Sequence, residues 1–104
     1  MSSFRERRLL EEIKEIGALI GYNGHKVEKE VMQIASQYLR INSLINIRTL
    51  AKASWYVILR REKMLNGDLV KKISNYGDYN SMTWLTLAQT IELRIFTSLK
   101  KRRS

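Results

Sequence analysis

No cysteine and no proline occur among the 104 residues, and each absence excludes something. Without cysteine there is neither a disulfide framework nor a thiolate metal site, and the chain suits a reducing interior. Without proline, nothing in the sequence forbids continuation of a helix interior. Histidine occurs once, at His25, beside a glycine-rich turn; with no second histidine or cysteine to join it, a capping or solvent-exposed role is the better reading than a metal ligand. Acidic residues number ten against nineteen lysines and arginines, a formal charge of +9. Nothing approaches the ~18–20 apolar residues that a transmembrane helix needs, and the N-terminal MSSFRERRLLEEIKEIG carries charges at every turn where a secretory segment would be apolar. The expectation is a soluble, cytoplasmic protein with no membrane partner.

What is present is helical periodicity. The length suits one domain, residues 1–104, ending in a basic tail at 100–104. From Phe4 to Ile20, residues Leu9, Ile13, Ile16 and Ile20 share a face while Arg5, Arg8, Glu11, Glu12 and Glu15 lie elsewhere. The cluster GYNG, Gly21 to Gly24, breaks that helix, and Val27, Val31, Ile34, Tyr38 and Ile41 mark the buried stripe of a second. The third segment, INIRTLAKASWYVILRREKML, is apolar almost all round in its middle, as expected of a helix at the centre of a bundle. Asn66 and Gly67 are expected to close it. Asp68 can cap a fourth helix reaching Tyr76, Gly77 can stop it, and Asn80 or Ser81 can cap a fifth that runs to about Leu99.

This order resembles one cyclin-type repeat, of the kind found in the archaeal transcription factor B and eukaryotic transcription factor IIB family. The likeness lies in HKVEKEVMQIASQYLR for the second helix, IRTLAKASWYVILRREKML for the third, with Ala51, Ala53, Tyr56 and Arg60 in register, and DLVKKISNYGDYNSMTWLTLAQTIELR for the last two. It implies an all-α fold, a compact five-helix cyclin-like bundle with a buried third helix, and contact with DNA, a TATA-binding protein or RNA polymerase. The chain departs from the family in having no cysteine for a zinc ribbon and room for one repeat only. The glycine–arginine pair before the third helix appears here as Asn46-Ile47-Arg48, with Arg48 in the basic role, and the proline before the fourth helix is absent.

The residues themselves also point to nucleic acid. The excess charge is uneven: Met1 to Lys52 carries nine basic less six acidic residues, +3, and Ala53 to Ser104 ten less four, +6. A positive field of that size favours polyanions. The stretch KKISNYGDYNSMTWLTLAQT reads either as a C-terminal helix-turn-helix with its turn at Gly77, or as two core helices joined by an ordinary turn. On the last helix Thr83, Thr86, Thr90, Arg94, Thr97 and Lys101 line one polar strip. Its hydroxyls and cations can meet bases and phosphates, and the alternative is a solvated face. Lys71 and Lys72 extend that surface, as do Arg60, Arg61 and Lys63, and the tail Lys100, Lys101, Arg102 and Arg103 adds phosphate contacts. Arg5, Arg7 and Arg8 alternate with glutamates and read as ordinary surface pairs.

A second strip, Met82, Leu85, Leu93 and Phe96, is apolar and is either covered by the bundle or offered to a homodimer or another protein. No paired carboxylates, phosphate loop or nucleophile arrangement stands out, so no enzyme, small-molecule substrate or cofactor is expected. The resulting expectation is a nucleoid-associated, DNA-binding transcription regulator. The alternatives are a protein-interaction module for the transcription machinery or a host factor, a nucleoprotein coating DNA, and an interfacial membrane helix formed by the amphipathic, basic C-terminal segment.

Overall fold

The computed structural model describes residues 4–78 and 83–96. Among them are five α-helices and no strand: α1 (Phe4–Ile20), α2 (Lys26–Ile41), α3 (Ile47–Arg61), α4 (Gly67–Asn75) and α5 (Thr83–Ile91). A 3-10 turn, Tyr76–Asp78, follows α4, and a π-helical turn, Glu92–Phe96, follows α5. None of these helices is long and apolar enough to cross a membrane.

The centre is α3. From Leu50 to Leu59 every residue but Tyr56 is buried, including Trp55 with its indole N–H donated to the Ile13 carbonyl at 2.9 Å. α1, α2 and α5 all pack on it, α1 also packs on α2, and α4 leans on α1 and α3. Leu9, Ile13, Ile16 and Ile20 of α1 and Val27, Val31, Ile34 and Tyr38 of α2 are buried against this hub. Each such aliphatic side chain contributes about 1.5–3 kcal/mol by leaving water. Ile41 is an exception to the expected stripe. It is the last residue of α2 and is 54% exposed, while Leu39 is buried.

Polar side chains set the helix starts. His25 caps α2, its Nδ1 accepting from the Val27 amide at 3.2 Å. Asn46 caps α3 by accepting from Thr49 N at 2.9 Å, and Asn66 caps α4 by accepting from Leu69 N at 2.9 Å. Asn66 therefore opens the fourth helix, although the sequence suggested that it closes the third. Asp68, expected as the cap, is instead in the first turn of α4 and faces Lys72 one turn on, at 3.3 Å.

The real end of α3 is earlier and is made by a lysine. Lys63 takes the left-handed conformation, φ 58°, with its N–H on the Arg60 carbonyl and the Met64 N–H on the Leu59 carbonyl. That hydrogen-bond pair is the Schellman arrangement, usually built on glycine. The last helix likewise departs from the expected single run to Leu99: its α-helical part stops at Ile91 and a wider turn carries the chain to Phe96. The turn keeps Ile95 buried behind Ile91.

Candidate nucleic-acid interface and the cleft beside it

The outer face of α5 begins with its inner one. Trp84, Ala88 and Ile91 are buried, and the Trp84 ring meets Tyr56 of α3 edge-on at 5.3 Å between centroids. Burial of that side fixes the rotation of the helix, which leaves Thr83 and Thr86 exposed and Thr90 half-buried. The Thr90 hydroxyl donates to the Thr86 carbonyl at 3.1 Å, so its proton is committed to its own helix and only its lone pairs remain for a ligand. Arg94 is exposed in the π-helical turn. Thr97, Lys100, Lys101, Arg102 and Arg103 lie outside the described residues, as does Met82.

Lys71 and Lys72 are both exposed on α4, a helix that rests on α1 and α3 more than on α5. Lys72 pairs with Asp68, an exposed contact of a few tenths of a kcal/mol that a phosphate could displace. In the last turn of α3, Arg60 reaches Glu92 at 3.9 Å and Arg61 stacks over the Phe96 ring at 3.8 Å. The second strip is therefore divided. Leu85 and Phe96 are half-buried against the core, and Leu93 alone of its described members is exposed, at 68%.

A polar cluster that the sequence did not announce joins α1, α3 and the 3-10 turn. Glu12, read as part of a charged face, is 3% exposed. Arg48 Nε donates to its Oε1 at 2.6 Å and the Tyr76 hydroxyl approaches its Oε2 at 2.8 Å and Glu15 Oε2 at 2.6 Å. The Arg48 guanidinium also sits 5.5 Å from the Tyr76 ring centroid, and its side chain stays 43% exposed while it pairs with the buried carboxylate. Burial would push the Glu12 carboxyl up, but the hydrogen bonds from Arg48 and Tyr76, with the charges of Arg48 and Arg8, outweigh it and hold the group below its ordinary value. Burial, then hydrogen bonding to Glu15 and Glu12, pushes the Tyr76 phenol up, and the Glu12 contact pushes Arg48 up. Gly77, φ 83°, passes so close that a Cβ there would lie 2.5 Å from Arg48 Cδ. The signal for Glu12 was its spacing, three residues after Leu9 and four before Ile16, which puts it within the apolar stripe.

Beside this cluster opens a cleft of about 760 Å³, lined by Arg5, Arg8, Glu12, Arg48, Lys52 and Trp84 and bordered by Thr49 and Thr83. Arg5 donates to the Ile45 carbonyl, which anchors α1 to the segment before α3. Lys52 is 3% exposed and its Nζ donates to the Ser74 carbonyl at 2.9 Å. Burial, reinforced by the nearby Arg48 charge, holds its ammonium below the usual lysine value. Thr83 thus belongs to two features, the outer strip of α5 and the rim of the cleft. Among the described residues no group of three or more metal-ligating side chains forms. No protein family, curated protein or solved structure matches the chain.

Proposed function

We propose that the protein is a DNA-binding transcription regulator, a single-repeat relative of transcription factor B, that contacts duplex DNA through the outer face of α5. The observation that supports this most is the division of that helix: Trp84, Ala88 and Ile91 inside, Thr83 and Thr86 outside, and exposed Arg94 beyond. On this reading Arg94, Lys71, Lys72 and the basic tail anchor phosphates, while the threonine hydroxyls lie nearest the groove. The groove-reading role needs only this exposed face, and a closely packed α4–α5 helix-turn-helix is a further step of the same proposal. Fluorescence anisotropy with a labelled duplex at two salt concentrations is the test. Affinity should fall as salt rises, with a slope of about 0.9 per phosphate contact. Absence of binding at low salt ends the proposal, and binding indifferent to salt removes the phosphate anchors from it.

One observation favours a second reading. Leu93 is a large apolar side chain at 68% exposure on the same terminal element, which suits docking on a TATA-binding protein, RNA polymerase, a host factor or a second copy of the chain. Leu93→Asp would then abolish that association and leave duplex affinity unchanged.

A further inference from the structure

Among its described lining residues, the cleft between α1, α3 and the start of α5 carries more cationic than anionic side chains. Arg5, Arg8, Arg48 and Lys52 line it, against one carboxylate among the described lining residues, Glu12. Both oxygens of that carboxylate are engaged, Oε1 by Arg48 and Oε2 by the Tyr76 hydroxyl. Two further donors on lining residues, Arg5 Nε and the Trp84 indole N–H, are buried and meet no acceptor among the described residues. Lys52 is the deep charge, and Arg8 and Arg48 are exposed. Guanidinium forks and an ammonium around one opening suit a tetrahedral oxyanion better than a planar or neutral ligand, and a cavity of about 760 Å³ has room for the group that carries it.

We infer that this cleft binds a phosphoryl group, presented by a nucleotide or by a nucleic-acid strand. The inference goes beyond DNA contact by the α5 face and does not depend on it, because inorganic pyrophosphate suffices as the probe. The two tryptophans supply the measurement. Trp55 has its indole N–H bonded to the Ile13 carbonyl in the core, while Trp84 lines the cleft. In a heteronuclear NMR titration of the full chain, millimolar pyrophosphate should move the Trp84 indole signal saturably and leave the Trp55 signal in place. Arg8→Gln should weaken that binding about tenfold, the loss expected for one charge-assisted hydrogen bond. Lys14→Gln, which removes an exposed cation of α1 outside the lining, should change it by no more than about twofold. A Trp84 signal that stays fixed, two indole signals that move together, or equal losses in both variants would overturn the inference.

Two further arms identify the source of the phosphate. A nucleoside triphosphate that shifts Trp84 in an Arg8-dependent way, when a duplex does not, assigns the cleft to free nucleotides. A duplex whose affinity falls in Arg8→Gln but not in Lys14→Gln assigns it to nucleic acid. Pyrophosphate binding by a protein that ignores duplex DNA altogether supports the cleft while ending the α5 proposal, so the two failures are distinguishable.

Discussion

Gly17 shows how little room the junction of α1, α2 and α3 has. A Cβ there would lie 2.7 Å from Glu28 Oε2 and 3.0 Å from Trp55 Cζ2. Alanine would gain about 1 kcal/mol in helix propensity, but overpacking costs about 1–3 kcal/mol. Trp55 is pinned by its bond to Ile13 and cannot swing aside. Gly17→Ala should therefore lower stability by about 1 kcal/mol, read as a lower urea midpoint; a raised midpoint would mean that the junction relaxes. Glu12 supplies a second test. Its folded-state pKa lies below the ordinary glutamate value of 4.5, so the stability it contributes is present above that pH and is lost as pH falls through the folded value. Glu12→Gln should cost about 2 kcal/mol at neutral pH and flatten the acid limb of the stability profile, measured by denaturation between neutral pH and about pH 3. The spacing of Glu12 places it within the apolar stripe of α1, but its partners, like those of Gly17, are not marked along the chain. Glycine inside a helix pattern carries no label for what approaches it, and Glu12 is flanked by glutamates whose surroundings differ only after α3 is in place.

At the scale of the element, Lys63 is the informative position. An L-residue in the left-handed region costs roughly 1–2 kcal/mol, part of which glycine would give back through its looser unfolded chain. Lys63→Gly should raise stability by about 0.5–1 kcal/mol, seen as a higher thermal midpoint with unchanged helical circular dichroism; a lower midpoint would show the lysine side chain contributing more than its backbone strain removes. This terminus was hidden because the breaker Asn66-Gly67 lies further on, where it starts α4. The four buried aliphatic positions of α1 and the all-round burial of the middle of α3 were legible, because a 3.6-residue period states directly which side chains share a face. The outward set of Thr83 and Thr86 follows from that rule too. The apolar strip did not survive as a unit. Arg61 covers Phe96 and the core takes Leu85, contacts between segments that periodicity within one helix cannot reveal.

The whole molecule is a bundle with a Cα radius of gyration of 13.0 Å, close to the ~13 Å of a compact domain of about 100 residues. It carries +9 in that small volume. Self-repulsion of that charge and attraction to a polyanion respond oppositely to salt. Raising salt from low to physiological concentration should raise the thermal midpoint of the free protein while weakening its binding to duplex DNA. A midpoint that falls with salt would mean that attractive pairs such as Glu12–Arg48 outweigh the repulsion.

Helix number, the central place of α3 and the positive balance were all contained in the order of residues, since each depends on composition or on spacing within a single segment. The Glu12–Arg48–Tyr76 cluster, built on a buried carboxylate, and the cleft came only with the fold. Their members stand 36 and 64 positions apart along the chain, and which charge leaves water is decided by the neighbour that closes over it.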